Sequence, residues 1–340
     1  MIIYEPKTTL WASIPKICNS NNHVKSDLTK LLASCDCYNL NDKDIQCYCS
    51  NCNNLNILNN LEKIKNISQE EYSWLVSLTN KSFWIKYFPD PCETIVIPLP
   101  IKYAKYIYEA SIIGYIKGNR SHIFDDELEF VENYIDTFLP KNKNWFARLD
   151  SASPKDGKYG AGPLSTSNEI VTALATSMRV NKSLENAIKK NSNGSQIEIC
   201  DVPLYLLPWR NDWNENLEFR VFVHNKKVTS ISQYVWHKDV GFTEDIMKVL
   251  TPKILDFCEY VINKFPLFDF VVDIIVVLQD NIEICGIDQN TNLNVELVEF
   301  NSFGAELASG SALFHWLNDY NLLYGYTDNV YVRYINNVTN

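Results

Sequence analysis

Apolar and polar positions recur with two different periods along the chain, and together they predict both helices and strands. Apolar stripes at helical spacing predict a helix that begins at Ser68, which Glu71 follows three positions later as in a helix cap. Further helices are predicted over 125–139, over 243–264, where Pro252 is expected to kink or divide the helix, and from 311 onwards. Strands are predicted over 94–100, 145–149, 198–207, 217–223, 228–234, 270–277 and 297–301.

Two of these strands, 270–277 and 297–301, carry the most distinctive polar residues. Asp273 is the only charge in its apolar run, and a buried acid is costly unless a metal or a cation pairs with it. Glu299 and Asn301 share one face of the later strand, so their oxygens lie about 7 Å apart along it. These three side chains would suit Mg²⁺, which takes few protein oxygens. Spacing alone equally allows an edge strand whose polar face meets solvent.

The strand that begins at Trp145 runs into a turn of small residues and then into the glycine-rich segment 157–163. Glycines let backbone N–H groups approach phosphates, and Arg148, Lys155 and Lys158 could neutralise them. The segment is not a Walker loop, because it lacks the Gly-Lys-Ser/Thr sequence. An ordinary turn explains the same residues.

The strand over 217–223 alternates cleanly, which places Glu218 and Arg220 on the same face. The residues 225–227 are typical of a hairpin turn into the next strand. Glu218 and Arg220 can contact a ligand or can form a charge pair on an exposed sheet, and the pattern leaves both interpretations open.

The composition limits the class of protein. The chain has 340 residues, of which 46% are hydrophobic and 21% are charged, as in a globular protein with an ample core. The net charge of −10 argues against a general nucleic-acid or anionic-membrane surface. The sequence has no apolar run of membrane-helix length and no secretory signal at its start, so we expect a cytoplasmic protein with reduced cysteines.

The first part of the chain is rich in asparagine and cysteine. Only one cysteine pair has the Cys-x-x-Cys spacing that is typical of zinc sites, so a structural zinc site and a segment with scattered thiols both remain open. The cysteines of this part are Cys18, Cys35, Cys37, Cys47, Cys49 and Cys52.

The order of these features resembles an ATP-grasp nucleotide site: a cationic strand and turn, a strand end, a Glu-x-Arg strand, and then acids with an asparagine. More narrowly, the chain resembles the cell division cycle protein 123 family, whose members are known as assembly factors for eukaryotic translation initiation factor 2. The resemblance covers about residues 83–318. It rests on four blocks of sequence that occur in the same order as in the family. These blocks are residues 83–86 with 95–100, residues 149–156, residues 218–223 with 231–233, and residues 298–304 with 313–316.

The resemblance implies an α+β fold of the ATP-grasp type, in which two subdomains of antiparallel sheet and helices enclose a nucleotide cleft. The implied parts are a cysteine- and asparagine-rich segment 1–60, an α/β part 61–144, ATP-grasp subdomains 145–205 and 206–330, and a tail 331–340. The implied ligands are ATP and Mg²⁺. Nucleotide contacts fall on Arg148, Ser151, Ser153 and Lys155, adenine contacts on Pro208, Trp209 and Arg210, ribose on Glu218, phosphate on Arg220, and Mg²⁺ on Asp273, Glu299 and Asn301.

The sequence departs from the family pattern at several of these positions. The family usually has lysine where Arg148 stands and aspartate where Glu299 stands. Tyr234 occupies a position where a basic residue is common, which puts one phosphate contact in doubt. Asp273 and Glu299 are also separated by more chain than usual.

Three functions are compatible with these features. The first is an assembly chaperone that binds ATP and Mg²⁺ and docks the γ subunit of translation initiation factor 2. The second is an ATP-dependent ligase that joins amino acids, peptides or RNA ends, and RNA would be a partner only in that case. The third is a binding module without turnover. No catalytic residue is predicted, and we expect a monomer.

Overall fold

The structure is a computed structural model. It describes residues 1–7, 60, 63–64, 66–90, 93–192, 201–279, 282–307 and 309–337, without the side chains of 189–192. The cysteine pattern between Cys18 and Cys52 lies outside the described residues, so the zinc question stays open.

The described chain forms helices and strands that belong to two compact units. One unit comprises Met1–Thr79 and Asp212–Asn340, and the other comprises Asn80–Asn211. The strands are β1 (Ile2–Lys7), β2 (Ile95–Leu99), β3 (Trp145–Leu149), β4 (Val202–Pro208), β5 (Glu218–His224), β6 (Lys227–Gln233), β7 (Phe270–Leu278), β8 (Leu293–Asn301) and β9 (Val330–Ile335). The α-helices are α1 (Gln69–Ser77), α2 (Lys81–Trp84), α3 (Ile101–Lys117), α4 (Asp125–Asp136), α5 (Ser167–Ala175), α6 (Met178–Ser192), α7 (Glu244–Lys264) and α8 (Tyr320–Leu323).

The first unit, called here the six-stranded unit, is built on one mixed sheet with the strand order β1-β9-β6-β5-β7-β8. The strands β5 to β8 pair antiparallel, as the alternating patterns and the hairpin turn predict. The last strand, β9, runs parallel to both of its neighbours, β1 and β6. The sheet therefore joins the two ends of the described chain.

Both faces of the six-stranded sheet are covered, which explains the continuous apolar run of β7. On one face, α7 contacts the sheet, and Phe265 after the helix stacks on Phe300 of β8 at 4.0 Å between ring centroids. On the other face, an aromatic cluster packs on Phe222 and Val271. The rings of that cluster come from the segment that follows β8, at Phe303, Phe314 and Trp316.

A helix that begins at 311 was predicted, and this prediction is wrong. Ala312 has a φ of 50°, which is the left-handed conformation and cannot continue a right-handed helix. The backbone N–H of Leu313 donates to the hydroxyl of Ser232 on β6 at 3.0 Å instead of to a helical carbonyl. The helix in this part of the chain is α8, a single turn after Asp319.

The proline inside α7 does not divide the helix. Pro252 is exposed and lies within one continuous helix, whose N-cap Thr243 accepts a hydrogen bond from the N–H of Ile246. Proline has no N–H to donate to the carbonyl four residues earlier, at Lys248. Packing of the buried stripe against the sheet therefore outweighs one missing hydrogen bond.

The second unit, called here the three-stranded unit, contains the antiparallel sheet β2-β4-β3. The helices α3 to α6 share a core with this sheet. Helix α3 ends at Gly118, whose φ of 63° gives a left-handed C-cap. Helix α5 begins with a capping box in which Thr166 and Glu169 bond each other's backbone N–H. Both units mix helices with sheets, so the predicted α+β class is confirmed.

Among the described residues, no helix combines the length and the apolar character needed to cross a membrane.

Candidate functional site

A row of polar side chains crosses the whole six-stranded sheet. Paired residues on neighbouring strands point to the same face, so register determines which side chains lie side by side. The row runs Glu5, Arg333, Ser232, Arg220, Asp273, Glu299, one residue from each strand. Every member except Glu5 is buried. The sequence identified three of these residues as candidates, and the strand register connects them to the other three.

Arg220 and Asp273 form a bidentate ion pair at the centre of the row. Nε of Arg220 donates to Oδ1 of Asp273 at 2.8 Å, and Nη2 donates to Oδ2 at 2.7 Å. Asp273 is 0% exposed and Arg220 is 7% exposed. Burial alone would lower the pKa of Arg220, but the adjacent carboxylate outweighs burial and raises the pKa, so the pair stays charged. The cation that the lone acid in β7 requires is therefore an arginine.

The remaining surroundings of Arg220 fix its guanidinium in place. Nη1 donates to the carbonyl of Gly310 at 2.7 Å, and a Cβ on Gly310 would stand 2.7 Å from the same nitrogen, so a side chain there would displace the guanidinium. The ring of Tyr234 lies 5.0 Å from the guanidinium carbon, within the range of a cation–π contact. An arginine or lysine in place of Tyr234 would set a second positive charge against Arg220.

The structure brings the three predicted metal ligands together. Asp273 and Glu299 are paired residues on adjacent strands, and Nδ2 of Asn301 donates to Oδ2 of Asp273 at 3.0 Å. Oδ2 of Asp273 thus accepts hydrogen bonds from Arg220 and Asn301, and Oδ1 accepts one from Arg220. Asn301 faces Asp273 with its amide nitrogen, so its amide oxygen is the atom that can serve as a ligand.

The donor set of this cluster fits Mg²⁺ in chemical type. Two carboxylates and one carboxamide are a small set of hard oxygens, and Mg²⁺ commonly takes one or two carboxylates while water and phosphate complete its shell. Within the described ranges, no group of three or more His, Cys, Asp or Glu side chains could hold a metal ion. The candidate set contains only two such side chains, Asp273 and Glu299, because its third ligand is the amide of Asn301.

Glu218 and Arg220 were predicted to contact the ribose and the phosphates. Glu218 begins β5, is buried, and accepts the backbone N–H of Tyr234 at 3.0 Å through its own backbone carbonyl. Arg220 uses three of its five N–H groups on Asp273 and Gly310. A phosphate contact would have to use the other two, so both ligand assignments stay predictions.

The predicted phosphate-binding residues of the three-stranded unit lie at the end of β3 and in the turn after it. Arg148 is 5% exposed, and Lys155 is half-buried. Ser151 is exposed, and its hydroxyl lies 2.6 Å from that of Ser183. Ser153 is fully buried, and its hydroxyl has no hydrogen-bond partner in the described chain. A buried hydroxyl without a partner is unusual, and a bound ligand would satisfy it.

The turn after Ser153 is held by helix ends. The carboxylate of Asp156 accepts the backbone N–H groups of Met178 and Arg179 at the start of α6, at 3.1 and 3.2 Å. A Cβ on Gly157 would stand 2.6 Å from the carbonyl oxygen of Ala173. The hydrogen bonds of Asp156 and the close packing at Gly157 therefore explain why these two residues occur here, without a phosphate.

The predicted adenine-contacting residues follow directly from β4. Pro208 ends the strand, and Pro208, Trp209 and Arg210 are all half-buried. The backbone N–H of Trp209 donates to the carbonyl of Asn144 at 2.9 Å, and a Cβ on Gly162 would stand 3.2 Å from its ring. Backbone pairing thus fixes the path of this segment, and its contact with adenine stays a prediction.

The candidate residues divide between the two units: Glu218, Arg220, Asp273, Glu299 and Asn301 belong to the six-stranded unit, and the other seven to the three-stranded unit. Sequence reasoning missed Gly310 and also Lys81 and Asp150, which lie close to Arg148. Asp150 lies inside the block 149–156 and Lys81 two residues before the block 83–86, but the burial of Lys81 could not be predicted from the sequence.

Comparisons with known proteins identify relatives of this chain. The family model described as D123 matches residues 119–340. The chain is similar to the structures of Cdc123 from Schizosaccharomyces pombe and of a C-terminally truncated form of it, each at 19% identity with a TM-score of 0.54. Each of these alignments covers 79% of this chain and 98% of the other chain, and at this identity the likeness shows the fold. No curated protein matches the sequence.

Proposed function

The chain belongs to the D123 family, that of cell division cycle protein 123, and from this premise we propose that it binds ATP with Mg²⁺ and acts as an assembly chaperone for translation initiation factor 2. The observation that carries the nucleotide part is the cluster of Asp273, Glu299 and Asn301 beside the buried Arg220. The chaperone part is supported by the family alone.

In this proposal Asp273, Glu299 and Asn301 hold Mg²⁺. The metal would supply positive charge to the phosphates of ATP. Arg220 fixes the rotamer of Asp273 through two hydrogen bonds, so that the carboxylate of Asp273 has a defined orientation. The amide of Asn301 adds a third bond to the same carboxylate. The ligands are thus oriented by the protein before a metal arrives.

The three-stranded unit contributes the other proposed contacts. Arg148 and Lys155 supply positive charge for the phosphates, and the hydroxyl of Ser153 supplies a hydrogen-bonding group. The adenine lies against the segment that includes Trp209. The buried, unpartnered hydroxyl of Ser153 is the observation that favours a ligand at this strand end.

Isothermal titration calorimetry tests the nucleotide part. The full chain is titrated with ATP in the presence of Mg²⁺ and again in the presence of a chelator, and thermal unfolding is followed under the same conditions. We expect tight binding with Mg²⁺, weaker binding without it, and about 2.7 kcal/mol of added stability at 100 times the Kd. No heat and no thermal shift with Mg²⁺ and ATP would contradict the proposal.

A pull-down tests the chaperone part. The full chain is immobilised and incubated with the γ subunit of translation initiation factor 2, with and without Mg²⁺ and ATP. We expect retention of the subunit, and more of it when Mg²⁺ and ATP are present. Absence of retention in both conditions would contradict the chaperone role. It would not contradict the binding of ATP and Mg²⁺, which the calorimetry tests separately.

A further inference from the structure

Lys81, the first residue of α2, is a buried lysine to which the proposed function gives no role. Its side chain is 1% exposed, and Nζ lies 2.6 Å from Oδ1 of Asp90. Nζ also lies over the ring of Trp84 at 4.2 Å and over the ring of Tyr205 at 5.4 Å. Burial lowers the pKa of Lys81 to about 8, although the carboxylate of Asp90 opposes this effect.

This environment is unfavourable for a positive charge. Replacing a buried ion pair by apolar side chains of similar volume is often neutral or stabilising, so such a pair is weak evidence for a role in stability alone. Groups whose pKa is shifted by burial and by a specific charged partner occur preferentially at functional sites. A role for the charge of Lys81 is therefore to be found in the groups that Lys81 and α2 contact.

The backbone of α2 is attached to the end of β3. The N–H of Lys81 donates to the carbonyl of Asp150 at 3.0 Å. The N–H and the hydroxyl of Ser82 donate to the carboxylate of Asp150 at 2.7 and 2.9 Å. Asp150 comes two residues after Arg148, and Ser153 is three residues further on. The first turn of α2 therefore holds the strand end that carries the proposed phosphate contacts.

The side chain of Lys81 connects the same turn to the segment before β2. The charged or titratable groups that act on Lys81 are Asp90 from that segment, Arg148 of β3 and Asp150 after it, and Tyr205 of β4 lies under its ammonium group. Arg148 and Tyr205 are paired residues on adjacent strands, so the two cations share one aromatic neighbour. Helix α2 is thus fixed on one side by Asp90 and on the other by Asp150.

We propose that Lys81 is a positioning residue for the end of β3, and that its charged side chain, bound to Asp90, holds α2 so that Asp150 and Arg148 keep the places needed for a phosphate contact. This inference rests on the proposed nucleotide binding. Lys81 does not touch the nucleotide. It acts through the hydrogen bonds that α2 makes with Asp150.

Calorimetric titration of the full chain with ATP and Mg²⁺ tests the inference on Lys81→Met and Lys81→Arg. The matched control is Lys143→Met, because Lys143 forms an exposed pair with Glu93 at 3.1 Å in the same unit. We expect Lys81→Met to weaken binding at least tenfold, Lys81→Arg to stay within threefold of the wild type, and Lys143→Met to leave the Kd unchanged. Wild-type affinity for Lys81→Met would overturn the inference.

The pH profile of the same titration separates positioning from general stability. Between pH 7 and 9.5 the wild type should lose about tenfold in affinity, because Lys81 loses its proton around pH 8. Tyr205, which faces Lys81, does not titrate over this range, because burial above all raises its pKa to about 12. Lys81→Arg should therefore have a flat profile. A falling profile in Lys81→Arg, parallel to that of the wild type, would overturn the inference even if Lys81→Met did not fold.

Hydrogen exchange distinguishes failure of this inference from failure of the proposed function. The amide groups of Lys81 and Ser82 donate to Asp150, so they should exchange at least tenfold faster in Lys81→Met than in Lys143→Met. Unchanged exchange would overturn the positioning role whether or not ATP binds. Faster exchange, combined with a wild type that does not bind ATP, would support positioning and contradict the nucleotide proposal alone.

Discussion

At the scale of single residues, the sequence identified the polar side chains but not their partners. Asp273 stood out because it is the only charge in an apolar strand, and Arg220 because it shares one face of an alternating strand with Glu218. Their ion pair depends on the register between β5 and β7, which are separated by a hairpin, a further strand and a long helix. The family resemblance implies a phosphate role for Arg220, and in the structure its guanidinium binds the carboxylate of Asp273.

The Arg220–Asp273 pair makes a testable contribution to stability. Arg220→Met should lower the free energy of unfolding by about 3–5 kcal/mol, because it leaves the carboxylate of Asp273 buried without its counter-charge. Adding Asp273→Leu should restore most of the loss, since it removes the stranded charge. Urea denaturation measures both changes. The exposed-pair variant Lys143→Met should change the free energy of unfolding by less than about 1 kcal/mol. A similarly small loss in Arg220→Met would contradict the account of the pair.

At the scale of elements, hydrophobic periodicity located the strands β2 to β8 and the helices α1, α4 and α7, because each pattern reflects one buried face. The helix at Ser68, the long helix α7 and most of these strands follow the predicted patterns closely, whereas β4 begins at Val202 and not at 198, and β8 begins at Leu293 and not at 297. The helix predicted from 311 is wrong because the left-handed Ala312 and the hydrogen bond from Leu313 to Ser232 on β6 override an apolar stripe. Hydrophobic periodicity contains no information on such bonds, so the backbone conformation of the segment that follows β8 could not be predicted.

Pro252 offers a test of how α7 is stabilised. Pro252→Ala should raise the free energy of unfolding by about 1–2 kcal/mol, because it restores a helical N–H donor to the carbonyl of Lys248 and relieves the ring's clash with it. Thermal denaturation followed by circular dichroism measures the change. The neighbouring exposed variant Lys253→Ala serves as the control and should stay within about 0.5 kcal/mol of the wild type. Destabilisation by Pro252→Ala would show that the proline supports a bend that the packing needs.

At the scale of the whole molecule, the polar row joins parts of the chain that are far apart in sequence. Arg333 of β9 donates to both carboxylate oxygens of Asp319, at 2.6 and 2.8 Å, and to Glu5 of β1 at 2.6 Å. The domain bounds proposed from the sequence divide the chain into consecutive parts, whereas the six-stranded unit contains both ends of the chain. Parallel pairing between the first and last strands leaves no local signal, so no pattern within either strand could predict it.

The hydrogen bonds from Arg333 to Asp319 and Glu5 should determine how firmly β1 is held in the six-stranded sheet. Arg333→Met should lower the free energy of unfolding by about 3 kcal/mol, because Asp319 and Glu5 lose their shared cation and Asp319 is buried. It should also speed hydrogen exchange in β1 relative to β5. Glu5→Gln, at a side chain that is about a quarter exposed, should cost no more than about 1 kcal/mol. Equal exchange in β1 for Arg333→Met and the wild type would contradict this role.

The central claim is that Glu299, Asp273 and Asn301 bind Mg²⁺ for ATP, and Glu299→Gln tests it most directly. Removing Asp273 would also break the ion pair with Arg220, whereas Glu299→Gln keeps that pair and the size of the side chain. Calorimetry should compare the Kd for ATP with and without Mg²⁺ in the variant and in the wild type. The compared quantity is the factor by which Mg²⁺ lowers the Kd for ATP. The account predicts that this factor is at least tenfold smaller in Glu299→Gln than in the wild type, while the Kd without metal is unchanged. An unchanged Mg²⁺ dependence would contradict it.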